Sequence, residues 1–373
     1  MICCFPADAD VADAIHQMKI LIATPMYHPH IGGVEYVVKS VAERLAKMGH
    51  AVTVLAGEPD AKTPRTDQIN GVQVIRWPTR APNHAYHMPL AADKLREVAI
   101  RLAKEADVIH VHNIHAVFPI YVLNAVRDLH IRKVVTPYYH GTGHTPIRKL
   151  LWIYWRRHIY KLITTADAVH TVSKLEAQLI QQDFGRHAIP IENGVEEAVK
   201  TLSWKPENYA MYSGRVEKYK NIHIFAKIIQ RLNTKYRMGV TLKIFGDGPY
   251  KPQLIRVLKE MQIPHEVAPF QPFAQYIQTL SCATLFGLLS QKESYPQSIN
   301  EANAIGVPAL TAPPWGRNFE GRTRTLMIDP TQDIDKAADE VHHFLQKAPL
   351  EPPNNVPTWD EVTLQYINLL YTQ

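Results

Sequence analysis

The run Lys19-Ile20-Leu21-Ile22-Ala23-Thr24 reads as a buried strand that breaks into a loop, Pro25–Gly33, and then into a segment of helical period. In that segment Val34, Val37, Val38, Val41, Ala42 and Leu45 recur at i, i+3, i+4, i+7, i+8 and i+11, the face of an amphipathic helix. The spacing predicts a helix over Val34–Met48, ended by Gly49 in the usual C′ role. A second strand follows at once, Ala51–Leu55. Strand, helix and strand in this order form the repeating unit of a parallel sheet covered by helices. Further short apolar strands are expected at Val72–Arg76, Val108–Val111, Val134–Thr136 and Ala168–Val172, with helices at Ala91–Lys104 and Ser173–Gln182.

A second series of the same kind starts near Tyr209. Strands are expected at Ala210–Ser213, Thr241–Phe245, Val267–Phe270, Ala283–Leu288 and Val307–Leu310. Helices fit Ile222–Leu232, Lys251–Met261, Phe273–Leu280 and Ser298–Ile305. Between the two series lies Glu192–Glu207, with Asn193-Gly194 and Pro206, which reads as a linker. At 373 residues the chain has room for two domains of ordinary size. The expectation is therefore an α/β chain of two Rossmann-like open parallel-sheet domains facing across a cleft. Ligands of such sheets bind at the carboxyl ends of the strands. The boundaries expected are 1–17 for a disordered extension, and 18–197 and 198–356 for the domains. A short capping helix is the other reading of the extension. Met18 is either the true start or the first residue of the fold.

Composition narrows the partners. The net charge of +6 suits an anionic ligand or an anionic membrane surface and is too small to demand nucleic acid. Three cysteines are too few for a disulfide framework. No apolar run reaches the roughly 18–20 residues that span a bilayer. The first residues carry no Lys or Arg and no apolar core of a signal peptide. A cytoplasmic setting is expected.

Several strand ends carry residues suited to chemistry. Ile31-Gly32-Gly33-Val34 sits where a strand turns into a helix, and free N–H groups there suit an anion. A tight turn explains it equally well. Ser213-Gly214-Arg215, with Lys220 five residues on, places two cations where they could clamp a diphosphate. A solvated basic loop is the plain alternative. Phe245-Gly246-Asp247-Gly248-Pro249 reads as a structural turn, with Pro249 starting the next helix. Glu293 and Glu301 bracket Ser294, Tyr295, Pro296, Gln297 and the start of a helix. That places Glu293 in a loop and Glu301 about one turn inside the helix, where it could accept hydrogen bonds from ribose hydroxyls. His140 closes a strand of the first half and points toward the same cleft, as a structural residue or a ligand contact.

Three other patterns were weighed. His110-Val111-His112 with His115 resembles a metal-binding string, yet no Asp or Glu occurs from Val108 to Val126. The pairs Asp8–Asp10 and Asp333–Asp335 lie away from the expected strand ends, and the second reads as the N-cap cluster of a surface helix. No metal is expected. Leu151, Trp152, Trp155, Ile159 and Leu162 form one helical stripe, with Lys149, Arg156, Arg157, Lys161, Tyr154 and Tyr160 off it. A buried helix with solvated cations is the favoured reading. Contact of residues 148–162 with an anionic membrane is the alternative.

Taken together and in order, these pieces resemble the retaining glycosyltransferase family 4, whose fold is GT-B. The matching pieces start with Pro25…Ile31-Gly32-Gly33-Val34-Glu35, Gly49-His50-Ala51-Val52-Thr53-Val54 and Asp107-Val108-Ile109-His110-Val111-His112. They continue with Ala166-Asp167-Ala168-Val169, Glu192-Asn193-Gly194-Val195 and Ser213-Gly214-Arg215…Lys220-Asn221. The last are Gly246-Asp247-Gly248-Pro249 and Ser290-Gln291-Lys292-Glu293 running to Glu301-Ala302. The resemblance covers the chain from Met18 onward, and it implies that 357–373, with Thr358-Trp359-Asp360 running to Tyr371, is a C-terminal helix crossing back to the first domain. One departure is Asn221, where the family often has glycine; Asn tolerates the left-handed region.

The resemblance implies a sugar moved from a UDP- or GDP-sugar to a hydroxyl acceptor (glycan, lipid-linked or small metabolite), with no further cofactor. It implies catalytic roles for Arg215, Lys220, Glu293 and His140. Donor contacts would come from Gly32, Gly33, Gly214, Ser294, Tyr295, Gln297 and Glu301. The acceptor would meet Tyr138, Tyr139 and His144. Association with the inner face of a membrane would follow from the alternative reading of residues 148–162. The alternatives are a sugar-nucleotide epimerase of the same fold and a non-catalytic sugar-nucleotide-binding protein.

Overall fold

The computed structural model describes residues 17–30, 32–82, 86–141, 146–293, 295–347 and 356–372, without the side chains of 146–151 and 153. The expected extension up to residue 16, His144 and Ser294 lie outside the described residues. The chain divides into two compact units. One runs to His112 and resumes over Ala116–Val134; the other comprises Asn113–His115 and Val135 onward.

The first unit contains β1 (Lys19–Thr24), α1 (Gly33–Lys47), β2 (Ala51–Glu58), β3 (Arg65–Ile69), β4 (Val72–Arg80), β5 (Met88–Pro89), α2 (Ala92–Glu105), β6 (Val108–His112) and α3 (Val117–Ala125). Strand β1 pairs in parallel with β2 and with β6, so that Ile20 faces Val52 on one side and Val108 on the other. Strand β2 pairs in parallel with β4. Ile20 to Ala23 and all of β6 are buried, as the helix-covered sheet requires. The period-two apolar pattern does not mark β3, which pairs antiparallel with β4 and lies half in solvent. Its signal is Asn70-Gly71, both left-handed, joining Ile69 to its partner Val72 in a two-residue hairpin.

β7 (Arg132–Thr136) leads into the second unit. There follow α4 (Pro146–Thr164), β8 (Ala168–Thr171), α5 (Lys174–Phe184), β9 (Ile189–Pro190), α6 (Glu197–Lys200) and β10 (Glu207–Ser213). Next come α7 (Ile222–Tyr236), β11 (Thr241–Phe245), α8 (Lys251–Glu260), β12 (His265–Ala268), α9 (Phe273–Ser281) and β13 (Ala283–Leu288). The chain closes with α10 (Gln297–Ile305), β14 (Ala309–Thr311), β15 (Thr325–Met327), α11 (Ile334–Lys347) and α12 (Trp359–Tyr366). Among the described residues one sheet has the strand order β12-β11-β10-β13-β14-β15, parallel throughout.

Two strands start elsewhere than their hydrophobicity suggests. Gly306 and Val307 donate to the Ala302 carbonyl at 3.0 and 2.8 Å, closing α10, so β14 begins only after Pro308. Leu242 donates to the Pro264 carbonyl at 2.8 Å, which starts the β12 ladder at His265 rather than Val267. Pro249 does not open α8; Pro252 occupies its first turn. As expected, Asp333 caps α11, accepting from Lys336 N at 3.0 Å. The expected linker contains α6, and its Val195 bridges Thr358 at the start of α12. In α12 a reciprocal cap joins Thr358 and Glu361. Tyr366 then packs edge-on against His170 of β8, ring centroids 4.7 Å apart.

At the carboxyl edge of this sheet the loops after β10 and β11 meet backbone to backbone. Gly214 donates to Phe245 O at 3.0 Å and Val216 to Asp247 O at 2.8 Å. A Cβ at Gly246 would fall on the Gly214 carbonyl oxygen. Gly246→Ala should therefore cost about 1–3 kcal/mol, read as a lower denaturation midpoint in urea. An unchanged midpoint would mean that these loops do not touch.

Candidate active site

The β10–α7 connection is shaped locally. Tyr212 donates its hydroxyl to Arg215 O at 2.7 Å and so holds the loop turned. Arg215 projects into solvent, its side chain 70% exposed, with Glu217 3.9 Å away. Asn221 adopts φ 54° and donates Nδ2 to Leu289 O at 2.9 Å. The left-handed turn thus survives without glycine, and Asn adds a tie to the end of β13 that glycine lacks.

That tie brings Lys220 beside the loop after β13. Lys220 Nζ donates to Glu293 Oε1 in a close ion pair, both side chains largely buried. A partly desolvated pair of this kind is stronger than a surface pair. Helix α10 follows directly, with Pro296 at its N-cap, one residue before the helix. No acidic side chain lies in its first turn and its N-cap Pro296 gives no side-chain cap, so among the described residues its first N–H groups keep their positive end.

Glu301 lies just past the first turn of α10 and is 5% exposed. Tyr276 of α9 donates its hydroxyl to Glu301 Oε2 at 2.7 Å. Burial lifts the carboxyl to about 7, and hydrogen bonds from Tyr276 and Gln297 only partly offset it. Tyr276 had no sequence signal: 25 residues separate the pair, and a tyrosine on an apolar helix face reads as core. Gln297 donates Nε2 to Gly194 O at 2.7 Å. Tyr295 turns inward, its hydroxyl among Glu192, Asn300 and Arg322.

Arg215, Lys220, Gly214, Glu293, Tyr295, Gln297 and Glu301 therefore share the carboxyl edge of one sheet. His140, in the same unit, follows β7. Its ring stacks on His115 with centroids 4.5 Å apart and planes 5° apart, and His115 leans on Trp152 at 5.0 Å. The segment before His140 is fixed by a buried carboxyl group. Glu176 accepts from Tyr139 N at 2.6 Å and from Val172 N at 3.1 Å. Burial pushes Glu176 up to about 8. Tyr138 takes φ 52° and is buried. Tyr139, expected at the acceptor, has a wholly buried ring, and its hydroxyl donates to Asp183.

In the first unit Gly32 is extended and Gly33 begins α1. Their loop rests on Arg76, a buried residue the sequence did not single out. Arg76 donates Nη2 to the His28 carbonyl and Nε to Asp67 at 2.6 Å, and pairs with Glu58 at 3.4 Å. His110 and His112 are buried in β6. Among the described residues no group of three or more His, Cys, Asp or Glu could hold a metal ion. In α4, Trp152, Ile159 and Leu162 of the stripe are buried, while Arg157, Lys161, Tyr154 and Tyr160 are exposed. No described helix is long and apolar enough to cross a membrane.

Comparison with known proteins agrees with this fold. Residues 31–199 match the model described as Glycosyltransferase Family 4, and residues 195–354 that of Glycosyl transferases group 1. The chain is 25% identical over 330 residues to a GDP-mannose-dependent alpha-mannosyltransferase of Mycolicibacterium smegmatis, covering 84% of each. It is 22% identical over 368 residues to the GDP-mannose:cellobiosyl-diphosphopolyprenol alpha-mannosyltransferase of Xanthomonas oryzae, covering 94% of this chain and 92% of the relative. Among solved structures it resembles sucrose-phosphate synthase from Thermosynechococcus elongatus, with TM-score 0.67, 14% identity and 95% of both chains covered. It also resembles Anabaena HepE in complex with UDP and glucose, with TM-score 0.67, 15% identity, and 96% of this chain and 100% of that one covered.

The raised Glu301 carboxyl has a measurable sign. The folded chain holds a proton there that the unfolded chain releases, so stability falls as pH climbs from the ordinary carboxyl range to about 7. Glu301→Gln removes that fall. The variant should gain on wild type through this window, by up to about 3 kcal/mol at its upper end. Urea midpoints at about pH 5 and about pH 8 read the difference; parallel curves for the two proteins would remove a buried, ionisable Glu301 from the account.

Proposed function

The chain belongs to the glycosyltransferases of family 4 and group 1, enzymes of GT-B fold, and from that premise we propose that it transfers mannose from GDP-mannose to a hydroxyl acceptor with retention at the anomeric carbon. The observation that carries this reading is the cluster at the sheet edge: the Lys220–Glu293 pair, exposed Arg215 and the N-terminus of α10, with Glu301 behind them. The donor class is supported by the relatives, which are named for GDP-mannose.

The chemistry follows from charge. As the bond from C1 to the donor phosphate oxygen breaks, negative charge grows on the diphosphate. Lys220, Arg215 and the first N–H groups of α10 stabilise it. Diphosphate binding draws Lys220 from Glu293, which is left to face the sugar. Glu301 accepts from the ribose hydroxyls; its two oxygens have capacity beyond the Tyr276 bond. The acceptor oxygen bonds to C1 on the face the diphosphate leaves, and its proton passes to the departing phosphate oxygen. His140, braced by His115, positions the sugar. The acceptor is a lipid-linked glycan, as in the Xanthomonas relative's name, and the exposed cations and tyrosines of α4 rest on an anionic membrane.

Three experiments test this. Calorimetry should show GDP bound more tightly than UDP, and both Lys220→Ala and Glu301→Ala should weaken it. Arg215→Ala should lower kcat by about 10²–10³-fold, as for loss of one group stabilising a developing anion. Equal binding in all variants would discard the site. For the membrane, sedimentation with phosphatidylglycerol vesicles should fall when Arg157 and Lys161 become Glu, and salt should weaken wild-type binding. Sedimentation that ignores both would assign α4 to the core alone.

A further inference from the structure

A network beneath the donor loop is untouched by the mechanism so far. Arg322, in the turn before β15, has a side chain only 12% exposed and serves four acceptors. Its Nη2 donates to Glu192 Oε2 at 2.9 Å and to Tyr295 OH at 3.2 Å. Its Nη1 donates to Asn300 Oδ1 at 2.9 Å and Asn303 Oδ1 at 3.1 Å. The guanidinium also lies over the Phe319 ring, 4.8 Å from its centroid. Asn300 in turn donates Nδ2 to Asn193 O at 2.8 Å.

These bonds join three stretches of chain. One is Glu192–Gly194, which continues into the Val195 bridge to Thr358. The second is the loop at Tyr295, two residues from Glu293. The third is α10, where Asn300 adjoins Glu301. We propose that Arg322, paired with Glu192, is a positioning residue for donor binding: it fixes Tyr295 and Asn300, and through them the spacing of Glu293 from Glu301. The inference rests on the reading of that loop and helix as the donor site.

The physical reason is the planar fork. One guanidinium reaches acceptors on two sides at once and stays charged when desolvated. A lysine at 322 has a single point charge and cannot span Glu192 and both asparagines together. The loop then keeps its fold and loses its fixed geometry. The cost falls on ligand affinity, since the free protein must pick the competent geometry from several.

The test is calorimetric titration of GDP and UDP into wild type, Arg322→Lys and Glu192→Gln, with donor and acceptor KM measured alongside. The nucleotide that wild type binds should bind Arg322→Lys roughly tenfold or more weakly, at unchanged stoichiometry. Donor KM should rise while acceptor KM stays the same. Glu192→Gln keeps an acceptor for Arg322 and should show a smaller loss in the same direction. A purely structural role predicts the opposite pattern: a lower active fraction, with wild-type Kd in the molecules that remain folded, and this would overturn the proposal. If Arg322→Lys does not fold, Glu192→Gln decides by the same two readouts. Absence of nucleotide binding by wild type would instead overturn the donor site itself.

Discussion

Parallel pairing of β10 with β11 on one side and β13 on the other governs everything at the candidate site. Parallel strands send all their outgoing loops to one edge. The loop with Arg215 and Lys220, the glycine turn after β11 and the loop with Glu293 therefore emerge side by side. The pairing tolerates little change, because the first two loops are in backbone contact through Gly214 and Gly246. Asn221 then stitches the Lys220 turn to the end of β13. Lys220 meets Glu293 because the sheet and this side-chain bond leave it there.

Under the proposed function, the charges suit an anion that arrives and leaves. Lys220 is neutralised by Glu293 in the absence of ligand, so the chain need not bury a lone cation. Arg215 stays in solvent. Glu301, raised by burial, holds back its charge near neutral pH. A diphosphate with a ribose supplies partners for each of these: phosphates for the cations and the helix N-terminus, hydroxyls for the carboxyl. Glu176 shows the same principle used for architecture, a buried carboxyl whose acceptor oxygens hold the backbone ahead of His140.

The fold was legible where its signals are local. The helical stripe of α1, the apolar runs of β1, β11 and β13, and the Asp333 cap follow from side-chain period and capping chemistry. β3 was missed because it is polar and half solvated, although Asn70-Gly71 marked its turn. β14 was placed too early because hydrophobicity does not reveal that the Val307 amide closes α10. At the site, residues set in short motifs at strand ends were legible as candidates: Arg215, Lys220, Glu293 and Glu301. Those that act through distant partners were not. Tyr276, Glu176, Arg76 and Arg322 bond to residues far along the chain, and only the folded structure puts them together.

The central claim is a glycosyl transfer in which acceptor and leaving diphosphate share one face of the sugar. The direct measurement is the anomeric configuration of the first product, read from the one-bond C1–H1 coupling by NMR after turnover of GDP-mannose labelled with carbon-13 at C1. The account predicts an α-linked product, the configuration of the donor. A β-linked product would contradict it, since inversion needs a base opposite the diphosphate and the proton could no longer pass to the leaving phosphate.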